Sequence, residues 1–274
     1  MITKVEVINA QGDLLSLPLD DYSSGLALED VGGLDPVKAT ITSTSFANQD
    51  GTQYNSARRE ARNLTMKIGM FPDYSTNTVR DLRNRLYAFL MPKTSATYKI
   101  YDDSDLTVTI SGRVESLDAP LFVKEPEANL SIICFDPDFI DLVPLEVDSS
   151  TVTDSTNTTI PYPGTVEVGV SLVLNVNRTL GSFSIYHTAP DGSTRTTNVT
   201  ASLVADDVLT INTVTGAKGA SLNHGGAVSS LLWGLDKPVQ WIELQPGGDN
   251  YIRVVAAGAA IPYSVVYTPR YGGL

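Results

Sequence analysis

The run Leu106-Thr-Val-Thr-Ile-Ser-Gly-Arg-Val-Glu115 constrains the fold more than any other, because it alternates apolar and polar residues. Leu106, Val108 and Ile110 fall on one side and the threonines on the other, the pattern of a half-buried strand. Tyr98-Lys-Ile-Tyr101 precedes it across an Asp102-Asp-Ser-Asp105 turn, and Ala128-Asn-Leu-Ser-Ile-Ile-Cys-Phe135 returns after a second turn near Asp118-Ala-Pro120. Asp136-Pro137-Asp138-Phe139 then ends the ladder, since proline has no N–H to donate. The composition changes beyond this point, so the hairpin reads as the closing element of a first domain.

The same alternation predicts strands at 2–8 and 14–19, joined by a Gln11-Gly12-Asp13 turn, and at Leu26–Val31, Val37–Thr44 and Asn63–Phe71. One segment has a helical period instead. Val79, Leu82, Leu86, Phe89 and Leu90 form an apolar stripe, Thr78-Val-Arg-Asp81 has capping-box spacing, and Pro92 ends the helix. Arg80, Arg83 and Arg85 fall on the other face, read as solvated, with a subunit contact as the alternative. Residues 46–57 are polar and rich in turn formers, and read as a long mobile loop.

Residues 148–161 have the Ser/Thr/Asp/Asn composition of a linker. The boundary is therefore set at about 147, giving domains 1–147 and 148–274. The second half reads as short strands at Thr165–Val170, Leu172–Val176, Phe183–His187, Thr196–Leu203, Val208–Asn212, Ala217–Asn223, Trp241–Leu244, Tyr251–Ala256 and Tyr263–Tyr267. Many short strands with Gly, Asn and Pro turns indicate a β-sandwich. The expected fold is thus mainly β: a β-rich first domain with one helix, then a sandwich.

The chemistry-bearing residues are sparse. A net charge of -12, with 22 acidic against 13 basic residues up to position 147, argues against gripping a phosphate backbone. The longest apolar runs are far short of the roughly 20 residues that span a bilayer, so no membrane insertion is expected. Cys134, the lone cysteine, reads as a small buried hydrophobe. His187 and His224 read as loop-edge residues rather than metal ligands. Asp102–Asp105 lacks the Gly and Glu of a calcium loop and reads as a turn. A glycosidase needs paired carboxylates, and nothing places Glu167 beside Glu243. Trp233, Trp241, Tyr162, Tyr186 and Tyr251 are candidates for stacking on sugar, although Trp241 alternates with Ile242 and Leu244 and reads rather as core, and Trp233 reads equally well as core. No catalytic, cofactor or metal residue is nominated, and no enzyme is expected.

The strand Gly112-Arg-Val-Glu-Ser116, the strand Leu130-Ser-Ile-Ile-Cys-Phe135 and the closing Asp136-Pro-Asp-Phe139 resemble the N-terminal domain of siphophage distal tail proteins. The helix pattern, Pro161-Tyr-Pro-Gly-Thr-Val-Glu-Val, Val208-Leu-Thr-Ile-Asn-Thr-Val and Trp241-Ile-Glu-Leu-Gln-Pro-Gly-Gly-Asp-Asn-Tyr-Ile252 extend the resemblance over nearly the whole chain. It implies a ring-forming domain and an outward galectin-like or carbohydrate-module-like sandwich. It also implies a homo-hexameric hub at the virion tail tip, made in the host cytoplasm. The hub would join the tail tube, tail hub, tape measure and receptor-binding proteins while DNA passes through without specific binding. The 46–57 loop would reach the neighbouring subunit, making Phe46, Asn48, Tyr54, Arg58 and Arg59 the candidate interface. A sugar-binding module for cell-wall glycan and a carbohydrate-active enzyme are the alternatives.

Overall fold

The computed structural model describes residues 1–48, 50–103, 106–120 and 123–274. Ser104 and Asp105 of the expected turn, and Gln49 of the expected loop, lie outside the described residues. The chain divides into two compact units, Met1–Leu142 with Tyr271–Leu274, and Val143–Arg270.

The first unit contains β1 (Ile2–Asn9), β2 (Leu14–Pro18), β3 (Leu26–Gly32), β4 (Ala39–Thr44), β5 (Gln53–Arg59) and β6 (Arg62–Met70). Helix α1 (Val79–Leu90) follows, then β7 (Ser95–Asp102), β8 (Thr107–Asp118), β9 (Glu127–Cys134) and β10 (Phe139–Asp141). The main sheet runs β2-β1-β7-β8-β9-β6-β3. Its register places the alternating apolar residues side by side: Val5 opposite Leu17, Tyr98 opposite Ile110, Leu64 opposite Ile132 and Leu28 opposite Ile68. All eight are buried in one core with Cys134 and Phe139. Burial pushes the Cys134 thiol up to about 11, as expected of an unreactive core cysteine.

Helix α1 begins where the capping box predicts. The Asp81 amide donates to Thr78 Oγ1 at 3.3 Å, and the Thr78 amide donates to Asp81 Oδ2 at 3.0 Å. Leu82, Leu86 and Leu90 enter the core, while Val79 and Phe89 cover its margin. Arg80 and Arg85 are exposed, but Arg83 is half-buried beside Tyr87, its guanidinium 5.1 Å from the ring centre. The arginines therefore do not share one solvated face.

The second unit comprises β11 (Leu145–Ser150), β12 (Thr158–Ile160), β13 (Val168–Gly169), β14 (Ser171–Asn175), β15 (Leu180–Thr188) and β16 (Thr194–Leu203). It continues with β17 (Val208–Asn212), β18 (Gly219–His224), β19 (Ala227–Ser230), β20 (Glu243–Leu244), β21 (Asn250–Val255) and β22 (Pro262–Tyr267). One sheet runs β11-β22-β14-β17-β18-β19 and the other β12-β21-β15-β16. Leu172, Ile211 and Val265 of the first meet Ile185, Val199 and Val254 of the second in a common core, which makes this unit a sandwich.

Several expectations change. The start of the expected linker is strand β11, paired along its length with β22, so the two units divide at 142/143 rather than at 147. Its Glu146, Asp148 and Ser150 suit an edge strand whose outer positions face water. The strand expected over 165–170 shrinks to β13, because the Thr165 and Val166 amides donate instead to Arg270 O, at 2.9 and 3.3 Å. Trp233 lies in a single 3-10 turn and is 69% exposed, so it is not core, whereas Trp241 packs partly buried against the core. His187 is a fully interior strand residue rather than a loop-edge one. Its Nε2 donates to Asn250 Oδ1 at 3.0 Å, and buried Asn250 in turn ties down the 245–250 turn through the Gln245 amide and carbonyl, both at 2.9 Å.

Leu86→Ala empties a fully buried site and should cost about 2–5 kcal/mol in urea denaturation. Arg83→Ala loses a cation–π contact and should cost about 0.5–1 kcal/mol; equal costs would mean the helix faces are assigned wrongly. Burial pushes the His187 imidazole below its ordinary value of 6.5, outweighing the Asn250 bond. The unfolded chain then binds the proton more readily, so this contribution to stability is complete above 6.5 and is lost as pH falls through the lower folded value. Melting from pH 7 to about pH 5, above the ordinary carboxylate range, should show a decline that His187→Gln flattens.

Candidate functional site: a free hairpin arm

Among the described residues, strands β4 and β5 pair only with each other, outside the main sheet. Ala39 lies opposite Arg59, Ile41 opposite Ala57 and Thr44 opposite Gln53, with a register shift between Thr42 and Ser43. Every residue of both strands is exposed. Their sequences explain this: Thr, Ser, Gln, Asn and Arg favour extended or turn backbone but offer no continuous apolar face to bury. The expected long loop over 46–57 thus gives way at 53–57 to strand β5, which pairs with β4. Between the strands, Asn48 lies in a turn, and Gly51 adopts a φ of +88°, where glycine is favoured.

The arm is polar except at a few points. Ile41, Phe46 and Tyr54 are 66%, 52% and 64% exposed. Arg58 lies opposite Thr40 on the outer strand. Arg59 does not share this surface. Its Nη2 donates to Asp138 Oδ2 at 3.0 Å, and Nη1 bonds Oδ1 of the same buried carboxylate. Of the nominated interface residues, Phe46, Asn48, Tyr54 and Arg58 therefore lie on the arm, while Arg59 fastens its root.

Arg62, three residues on, anchors that root more deeply. It is 1% exposed and donates to four main-chain oxygens: Pro137 O at 2.7 Å, Asp35 O at 2.8 Å, Gly272 O at 2.6 Å and Gly33 O. Its guanidinium lies 4.3 Å from the centre of the Phe139 ring. Desolvation lowers the guanidinium's pKa, which leaves it charged all the same, because arginine starts so high. The signal for this role lies in the β6 alternation, where Arg62 occupies the same phase as buried Leu64, Met66 and Ile68. A charged residue in a core phase must find partners.

Elsewhere, burial raises the Glu243 carboxyl, but bonds from Lys218 and Arg195 more than reverse this and hold it below its ordinary value. A glycosidase acid needs a raised value, so Glu243 is tuned the wrong way for that part. Among the described residues no group of three or more His, Cys, Asp or Glu is arranged to hold a metal ion.

A β-rich unit with one helix and a hairpin arm, followed by a β-sandwich, is a fold with a solved counterpart. The crystal structure of phage SPP1 Dit, a paradigm of the hub adsorption apparatus in phages infecting Gram-positive bacteria, matches 97% of this chain and 98% of its own at a TM-score of 0.68 and 17% identity. Two structures of the phage P2 baseplate in its activated conformation, with calcium and with strontium, align at TM-scores of 0.42 and 0.41. They cover 97% and 96% of this chain, and 98% and 97% of their own, at 10% and 9% identity. The likeness to SPP1 Dit is therefore one of fold. No family model and no curated protein matches the chain.

Arg62→Met keeps the bulk and removes every donor. With several inward carbonyls left unpaired at about 1–3 kcal/mol each, it should cost about 3 kcal/mol or more in thermal or urea denaturation. Arg59→Ala should cost distinctly less, since Arg59 is 37% exposed. A silent Arg62→Met would show that these carbonyls rehydrate without loss.

Proposed function

We propose that this chain is a structural component of a long-tailed phage tail tip, a hub whose first unit closes into a homo-hexameric ring around the DNA channel. The observation that carries this reading is the free arm. A two-stranded hairpin is marginally stable alone in water, yet this one holds Ile41, Phe46 and Tyr54 exposed above a root fixed by Arg59 and Arg62. Such an arm is suited to lie on a second copy of the chain, and a head-to-tail contact of this kind closes into a ring. The whole-length fold likeness to SPP1 Dit supports it.

In this reading the ring holds the tail tube, tape measure and tail hub proteins in register, and the sandwich serves the receptor-binding side. The acidic chain, at -12, lets DNA pass without gripping it. The work is mechanical, and no catalysis is assigned.

Mass-resolved light scattering of the purified chain should give six copies, or twelve for two stacked rings. Replacing residues 48–55 wholesale would remove part of β5, so the cleaner test is the double substitution Phe46→Ser and Tyr54→Ser, which spares the hairpin backbone. It should leave the melting temperature nearly unchanged and shift the mass toward the monomer, because aromatic side chains carry much of an interface's energy. A parent that stays monomeric at high concentration, and is absent from rings in electron micrographs of whole tails, would overturn the hub reading. A double variant that assembles like the parent would move the contact off the arm.

A further inference from the structure

The second unit carries a groove that the hub reading leaves unused. It has a volume of about 420 Å³ and is lined by Thr194, Arg195, Lys218, Gln240, Trp241 and Glu243. Thr194 and Arg195 open β16 in one sheet, Lys218 immediately precedes β18 in the other, and 240–243 lead into β20.

The groove is built by a consistent set of bonds. Arg195 Nη1 donates to Trp241 O at 2.9 Å and to Glu243 Oε2 at 3.1 Å, while Lys218 Nζ donates to Glu243 Oε1 at 3.0 Å. The Thr196 amide donates to Gln240 Oε1 at 2.9 Å, and Thr197 Oγ1 to Gln240 O at 2.8 Å. Each acceptor in this set is engaged, including both oxygens of the single carboxylate. The donors are in surplus. Among the described residues nothing accepts from Arg195 Nε or Nη2, from the Gln240 amide nitrogen or from the Trp241 indole N–H, and Lys218 retains two more hydrogens. These free donors are not on buried atoms, so a ligand reaching the groove meets them in place of water.

The arrangement selects a chemistry. Nε and Nη2 form the side edge of a guanidinium, whose two parallel N–H groups match the two oxygens of a carboxylate. Lys218 adds a point charge, and the half-buried indole adds a flat apolar surface with a donor at its rim. An extended peptide is disfavoured, because the β16 edge beside the groove is already occupied. Leu235 bridges Val199, the Asp236 amide donates to Asn198 O at 3.1 Å, and Gln240 accepts from Thr196. Strand addition has no open ladder there. We infer that this groove binds an acidic saccharide, the sugar carboxylate on the free edge of Arg195 and near Lys218, and the ring against Trp241. This goes beyond the hub reading and does not require a ring.

The test uses the full chain carrying Trp233→Phe, which leaves Trp241 as its sole tryptophan. Titration with a galacturonic-acid tetramer should change Trp241 fluorescence saturably, while a neutral glucose tetramer should produce a much weaker response. Arg195→Lys keeps the charge but loses the paired edge, and it should weaken binding about tenfold or more, as should Lys218→Ala. Unchanged circular dichroism and melting temperature show that each variant is folded, with Lys218→Ala as the milder change should Arg195→Lys disturb the groove. No saturable response, equal binding of the neutral tetramer, or full binding by both variants would overturn the inference. A stronger response to a poly-glutamate peptide than to the acidic tetramer would overturn it too, reassigning the groove to acidic protein.

Discussion

The first unit depends on one buried cation. Arg62 places a guanidinium where Leu64, Met66 and Ile68 place hydrocarbon, and it satisfies that charge with main-chain carbonyls from three separate places. Those carbonyls belong to irregular backbone: the Gly33–Asp35 loop after β3, the Pro137 turn before β10 and the C-terminal Gly272. Irregular segments have no ladder to take up their polar groups, and an unpaired buried carbonyl is costly. One side chain thus meets several needs at once. The same residue explains Gly33, whose φ of +85° aims its carbonyl at Arg62 where a side chain would strike Asn63.

Rigidity at the root and freedom along the arm are linked. Asp138, one residue beyond Pro137, takes the guanidinium of Arg59 at the end of β5. The turn held by Arg62 therefore also holds the arm, with only Glu60 and Ala61 between the end of β5 and the start of β6. The Glu60 amide closes the base by donating to Lys38 O at 2.9 Å. Beyond that base, among the described residues, the two strands form a sheet of their own with every residue exposed.

What was legible in the sequence follows from where the physics is local. Period-two alternation marks a strand whenever one face is buried, and so β1, β2, β6, β7, β8 and β9 could be read directly, as could α1 from its stripe and capping box. Alternation is missing from β5, which has no apolar face to bury, and is masked in β11, whose Leu145 and Val147 only partly cover the core; β4 is just as exposed as β5 but still legible, because its sequence alternates. Strand β5 and the polar edge strand β11 have the composition of a loop or linker, and pairing makes them extended: β5 with β4 across the hairpin, β11 with the distant β22. Trp233 and His187 fail for a related reason, since side-chain type alone does not say which way a local turn or strand points. Phe46 and Tyr54 stood out as aromatics stranded in a polar stretch, and they do lie exposed. Arg59 looked the same as Arg58 because Asp138 is 79 residues away along the chain. The Arg195–Lys218–Glu243 groove left no local trace at all, being gathered from three segments of the sandwich.

The difference between a mobile loop and a preformed hairpin changes the energetics of any assembly that uses the arm. Ordering a disordered segment costs roughly 1–2 kcal/mol per residue in backbone entropy, and a loop of this length would surrender much of its contact energy to that term on docking. Here the ladder from Ala39–Arg59 to Thr44–Gln53 has already fixed the backbone during folding. Association then needs to immobilise chiefly side chains, at about 0.5–1.5 kcal/mol for each flexible one. A few exposed apolar groups such as Ile41, Phe46 and Tyr54 can therefore suffice for a contact repeated around a closed ring. The same preorganisation has a cost in the free subunit, where those groups stay in water on a marginal two-stranded ribbon. Anchoring the root through Arg59 and Arg62 offsets that cost, and for this reason the most buried charge in the unit lies beside its most exposed element.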